Sequence, residues 1–148
     1  AGLLVDPATV LSGAMTREAG AVATERLLAQ GVPPTAIIFA TDAAALGAYQ
    51  AAESHGLSIG RDLSVISYDG IPEGAWVRPS LTTFSVDSRT AGARLAELLI
   101  RRIRGEAPQD LRETALATLQ IGGSDGPPVR TSEEIARQVS TVRAKTPN

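Results

Sequence analysis

Apolar residues along the chain recur with two alternating periods, and the alternation predicts the fold class. Stretches with helical spacing are separated by short apolar runs, as in α/β proteins. From Thr16 to Gln30, the residues Ala19, Ala23, Leu27 and Leu28 share one helical face, and Gly31 supplies a stop. Beyond Pro33 and Pro34, the run Ala36-Ile37-Ile38-Phe39 is short and continuously apolar, the pattern of a strand buried on both faces. Thr41 and Asp42 open a second helix, Asp42 to Ser54, which ends near Gly56. Ser64 to Tyr68 reads as the next strand. Two strands around one helix form a βαβ unit, with parallel strands and a right-handed crossover.

The pattern continues with a loop from Asp69 to Ser80 and an extended piece from Leu81 to Val86. Asp87 is placed to cap an amphipathic helix, Ser88 to Arg104, striped by Ala91, Leu95, Leu98, Leu99 and Ile103. Gly105 and Pro108 end it. Arg112 to Ile121 has weak strand character, and residues 122–128 read as a loop. Thr131 and Glu134 stand in capping-box spacing ahead of a polar stretch expected to be a short helix or a mobile tail.

Composition narrows the picture. With 148 residues and 43% apolar side chains the chain has enough material for a core, but only 3% are aromatic, so that core is built from Ala, Val, Leu and Ile. A formal charge of −2 provides no field to draw nucleic acid. The absence of cysteine excludes disulfides and thiolate metal sites, and one histidine, His55, cannot make a histidine-rich one. No apolar run approaches the roughly 20 residues that span a bilayer. The opening residues, Ala1 to Pro7, have neither the basic nor the apolar part of a signal peptide and no initiator Met, so the chain is read as part of a longer one.

Asp42 and Asp69 are the candidate binding residues. Each follows a predicted parallel strand at its carboxyl end, where open α/β sheets bind ligands. If the strands are neighbours, about 4.8 Å apart, both carboxylates face one crevice. Carboxylates accept hydrogen bonds only, which suits a ligand rich in hydroxyl donors, and each charge-assisted bond contributes about 1.5–3 kcal/mol. The structural alternatives are a helix-start residue for Asp42 and a turn residue for Asp69. Trp76, beside Asp69 in the same loop, either stacks on a sugar ring or fills a subunit interface. Catalysis finds little support. Two carboxylates alone do not make a glycosidase pair, and Ala40-Thr41-Asp42-Ala43-Ala44 contains no glycine to admit a pyrophosphate. Arg101, Arg102 and Arg104 read as cations completing the last turn of a helix rather than as a nucleic-acid patch. No enzyme activity, cofactor or metal is expected.

The ordered set of segments resembles the regulatory domain of LacI/GalR-type repressors. The matching pieces are Pro34-Thr35-Ala36-Ile37, Ala40-Thr41-Asp42 with Ala45-Leu46-Gly47-Ala48, Gly56-Leu57, Asp62 through Gly70, Pro79 through Thr83, and Gly105 through Pro108. The resemblance runs from about Leu3 to Pro128. It implies a parallel-sheet lobe of the periplasmic-binding-protein-like type I fold, mostly the C-terminal lobe of a two-lobe domain. Residues 1–87 would form that lobe, 88–111 would belong to the absent N-terminal lobe, 112–128 would be a crossover strand and loop, and 129–148 the tail. It further implies a sugar-like or other polyhydroxy effector, a homodimer, and operator DNA bound through an N-terminal head not present in this chain. The protein would be cytoplasmic.

By the same resemblance Asp69 contacts effector hydroxyls, with Asp42, Thr41, Met15 and Trp76 nearby, while Leu46, Trp76 and Val77 lie on the dimer surface. The chain departs from the family at several points. Thr41 stands where an Asn is usual, Gly70 where a second Asp often follows, Met15 where many members place an aromatic, and Gly122 where an Arg is expected. Val86 and Ser88 occupy pocket positions without being strong sugar ligands. A periplasmic sugar-binding protein of a transport system is the alternative with the same fold.

Overall fold

A computed structural model of the chain describes residues 6–145. Residues 1–5 and 146–148, at the ends of the expected lobe and tail, lie outside the described residues. Helix α1 (Arg17–Leu28) is capped by Thr16, whose Oγ1 accepts the Ala19 amide at 3.2 Å. Strand β1 (Ala36–Ile38) leads to α2 (Asp42–Ser54), capped in the same way by Thr41 on the Ala44 amide. Then come β2 (Ser64–Asp69), β3 (Thr82–Ser85), α3 (Ser88–Ile103), β4 (Thr118–Gln120) and α4 (Ser132–Lys145). The sheet order is β1-β2-β3-β4, with β1, β2 and β3 parallel and β4 antiparallel to β3. The expected pairing of the first two strands is therefore present, with Ile38 opposite Ile66.

Helices α1 and α2 touch backbone to backbone. A Cβ on Gly20 would lie 2.0 Å from the Ala44 carbonyl oxygen, and one on Gly47 would lie 2.1 Å from the Arg17 oxygen. This close crossing lets small residues fill the core: Ala44, Ala45, Ala48 and Ala52 from α2 pack with Leu28, Leu63, Val65 and Leu81. The scarcity of aromatic residues is thus compensated by proximity of backbones.

Among the described residues the sheet is covered on one face only. The register places Ile38, Tyr68, Phe84 and Leu119 together on the opposite face, and all four are exposed, Ile38 at 82%. The reading of β1 as a strand buried on both faces is corrected here: its apolar run suits two covering layers, and among the described residues only one is present. Helix α3 has no buried residue, and Leu95, Leu99 and Ile103 on its stripe are open. It is tied chiefly to the turn that follows it, by Arg94 to Glu113 and by Arg101 to Glu106 at 2.7 Å.

The segment expected as a short-helical or mobile tail is a 14-residue helix, α4, whose Ile135 and Val139 enter the core. The capping box forms reciprocally, the Thr131 amide donating to Glu134 Oε2 and the Glu134 amide to Thr131 Oγ1. Gln138 donates to the His55 carbonyl, and Arg143 reaches the Glu25 carboxylate, which also lies 2.8 Å from His55 Nε2. Burial pushes the Glu25 carboxyl up, but His55, Arg143 and Ser54 outweigh it and hold the group below its ordinary range. A polar sequence can therefore still dock when two apolar residues four apart meet a gap in the core.

Replacing Ile135 by Ala is expected to cost about 2–5 kcal/mol in urea denaturation. The same truncation at exposed Leu99 should change stability by no more than about 0.5 kcal/mol. A negligible effect at Ile135 would mean that α4 does not dock.

Candidate functional site

The two aspartates stand at the carboxyl ends of adjacent parallel strands but have opposite environments. Asp42 has no exposed surface. Its Oδ1 accepts the hydroxyls of Ser67 at 2.5 Å and Thr83 at 2.6 Å, and its Oδ2 accepts the amides of Gly70 and Ile71, both at 2.8 Å. As the first residue of α2 it also lies at the positive end of that helix. The expectation that Asp42 faces a crevice beside Asp69 is not met. Its carboxylate turns into the protein because four donors from β2, β3 and the following loop converge there.

These donors were not singled out in the sequence. Ser67 and Thr83 pair directly across β2 and β3, so their hydroxyls share one face. Polar residues within otherwise apolar strand runs were the available signal that a buried acceptor lay opposite them.

Asp69 is half-buried, and no described protein donor meets its carboxylate. Its φ of 130° makes it the one non-glycine residue with positive φ among those described. Such a backbone costs on the order of 1–3 kcal/mol and persists where surrounding contacts enforce it. Gly70 follows with φ 80°, and a Cβ there would fall 2.2 Å from Ser85 Oγ. The position where the family often has a second Asp is therefore closed to side chains in this conformation.

Thr41 and Met15 meet at the end of β1, where the Thr41 hydroxyl donates to the Met15 carbonyl at 3.3 Å. The Met15 side chain is exposed. Trp76 is 73% exposed at the end of a short turn, Pro72–Ala75. That loop is fastened at one end by Asp42 on Gly70 and Ile71, and at the other by the Tyr49 hydroxyl on the Pro79 carbonyl at 2.9 Å. Burial pushes the Tyr49 phenol up to about 12, so it stays a donor. A cavity of about 340 Å³ opens beside the loop, lined in part by Gly70, Ile71, Leu81, Thr83 and Gly122, while Asp69 itself does not line it.

Of the residues expected on a subunit surface, Trp76 is open and Val77 is half-buried against the core. Leu46 is a correction. It is 5% exposed and part of the core, because α2 is covered around most of its circumference and Leu46 has little surface to offer a partner. Among the described residues, no cluster of His, Asp and Glu has the form of a metal site, and no helix is long and apolar enough to cross a membrane.

Residues 1–124 match the family of periplasmic binding protein-like domains. The chain belongs to that family, in the form carried by LacI-type regulators. It is 38% identical over 131 residues to the HTH-type transcriptional regulator AglR of Rhizobium meliloti, covering 85% of this chain and 36% of that protein. It is 31% identical over 149 residues to the Lactose operon repressor of Escherichia coli, covering 95% and 41%. Among solved structures, a LacI family transcriptional regulator from Mycobacterium smegmatis superposes with a TM-score of 0.76 at 27% identity, covering 86% of this chain and 48% of that one. A LacI family regulator from Arthrobacter in complex with lactose matches with a TM-score of 0.68 at 30% identity, covering 76% and 42%. One from Enterococcus faecium with bound ribose matches with a TM-score of 0.66 at 29% identity, covering 76% and 41%. The chain thus spans less than half the length of these relatives, and the mostly parallel sheet is the part of the periplasmic-binding-protein-like fold that it holds.

Gly70→Ala is expected to destabilise the chain by about 1–3 kcal/mol in chemical denaturation, through the positive φ and the overlap with Ser85. Adding Ser85→Gly should remove the clash with the Ser85 side chain and recover part of the loss, leaving the 2.8 Å approach to the Cα of residue 85 and the conformational part. Full recovery would show that the backbone at Gly70 is not constrained.

Proposed function

We propose that the chain is the effector-binding part of a LacI-type DNA-binding transcriptional repressor, and that its effector is a small polyhydroxy molecule, sugar-like in its hydroxyl pattern. The observation that carries this reading is Asp69: an acceptor with no protein donor among the described residues, held in a strained backbone conformation at the carboxyl end of a parallel strand. Thr41 and Met15 stand at the end of the adjacent strand, where the exposed Met15 side chain offers an apolar surface and the Thr41 hydroxyl, already bonded to the Ala44 amide and the Met15 carbonyl, keeps one lone pair. Exposed Trp76 supplies either a stacking ring or a subunit contact. Asp42 contributes to this site from within.

The relatives are transcriptional regulators, which favours this reading over a transport protein and over an enzyme. Two structural neighbours hold lactose and ribose, and this supports the hydroxyl-rich class of ligand here. Helix α3, with its open Leu/Ile stripe, is assigned to a second lobe that would close over the effector. Operator DNA would be bound by a helix-turn-helix head outside this chain, in a cytoplasmic homodimer that includes Trp76 and Val77. Effector binding would act by favouring one lobe arrangement over another, which requires unequal affinity for the two.

The test is an NMR titration of the isotope-labelled chain with lactose and with ribose. Amide shifts are expected to centre on Met15, Thr41, Asp69 and Gly70, and Asp69→Ala should weaken binding about tenfold or more while leaving the fold intact. Binding unchanged in Asp69→Ala, or no response to either sugar around Asp69, would overturn the assignment.

A further inference from the structure

The unusual backbone of Asp69 has a visible cause. The two amides that immediately follow it, those of Gly70 and Ile71, both donate to Asp42 Oδ2 at 2.8 Å. The other oxygen of the same carboxylate is held by Ser67, two residues before Asp69 on β2, and by Thr83 on β3. Asp42 therefore grips the chain on both sides of Asp69 without touching its side chain. On the far side, Asp69 is paired with Ser85 in the β2–β3 register, and its carbonyl accepts the Val86 amide at 3.1 Å. A chain fastened before, after and across one residue leaves that residue little freedom in φ. It adopts 130°, which an unconstrained aspartate seldom adopts.

We propose that Asp42 is the positioning residue of the effector site. It meets no ligand. It sets the direction in which Asp69 presents its carboxylate, by drawing the Gly70 and Ile71 amides inward. The proposal deepens the effector reading and rests on it for its functional consequence, whereas its structural content stands on Asp69's backbone alone. Two features make Asp42 suited to the task. A carboxylate at the start of α2 is favoured by the helix dipole, and an acceptor-only group can take four donors at once. An asparagine has one acceptor oxygen only, but its amide nitrogen can donate to the Ser67 and Thr83 hydroxyls, which also accept, so alanine rather than asparagine removes the hold on the two amides. The Thr83 hydroxyl extends the same hold to β3, so a displacement of β3 relative to β2 would reach Asp69 through a single carboxylate.

The experiment measures the three-bond amide-to-Hα coupling of Asp69, which reports φ, together with lactose and ribose affinities by NMR, in the chain and in two variants. Asp42→Ala removes the grip at its source. Ile71→Pro removes one gripping N–H while leaving Asp42 in place, and the φ of −71° at Ile71 accommodates proline. The expected result is a coupling that rises from the small value of the native φ toward the large value of extended strand. It should be accompanied by a loss of sugar affinity of about tenfold or more. If Asp42→Ala does not fold, Ile71→Pro decides the matter by the same two readouts. A coupling and an affinity that stay at the wild-type values in a folded variant overturn the positioning role and leave the Asp69 assignment standing. If Asp69→Ala binds sugar like wild type, the effector reading falls, and the coupling alone still decides whether Asp42 sets the backbone.

Discussion

A carboxylate removed entirely from water is costly unless its oxygens are met by donors, and the Asp42 environment is arranged around that requirement. Its four donors come from β2, β3 and the loop between them, while Asp42 itself begins α2. Three secondary elements and one loop are thus indexed to a single side chain at the carboxyl end of the sheet. An acceptor missing at this point would leave buried hydroxyls and amides unpaired, each at a cost of about 1–3 kcal/mol. The loop carrying Trp76 and the conformation of Asp69 both follow from where this carboxylate lies. This edge of the sheet is held from behind.

The rest of the architecture divides into a packed side and an open side. Backbone contact between α1 and α2 through Gly20 and Gly47 brings a layer of alanines against β2. Helix α4 closes that side by inserting Ile135 and Val139, with Gln138 tied to His55 at its middle and Arg143 to Glu25 near its far end. The opposite face of the sheet, with Ile38, Tyr68, Phe84 and Leu119, and the stripe of α3 are apolar without a covering layer among the described residues. Contiguous open apolar surface of this kind is normally covered in a complete molecule. This agrees with the chain spanning less than half the length of its LacI-type relatives.

Much of the fold was legible in residue order. The helix start at Thr41, the cap at Asp87 and the capping box at Thr131 and Glu134 lie where helix-start chemistry placed them, because capping is local and needs no tertiary context. The parallel pairing of β1 with β2 followed from the intervening helix. What sequence could not supply was direction. An apolar run such as Ala36 to Phe39 shows that a strand can be buried on both faces, not that both coverings exist. Likewise, an aspartate after a parallel strand is consistent with pointing out or in. Asp42 points in because Ser67 and Thr83 face it from strands distant in sequence. Leu46 was placed on a surface although its helix is covered on nearly all sides. Docking of α4 was hidden because two apolar residues in a polar helix carry a weak signal unless a matching gap is known.

A crystal structure of the chain grown with lactose or ribose would show which aspartate takes the sugar. Positioning of Asp69 by Asp42 predicts sugar hydroxyls on the Asp69 carboxylate, with the Asp69 φ still positive and Asp42 still holding its two hydroxyl and two amide donors. Sugar oxygens on Asp42, or an Asp69 that contacts the ligand from an ordinary extended backbone with the Gly70 and Ile71 amides released, would contradict it.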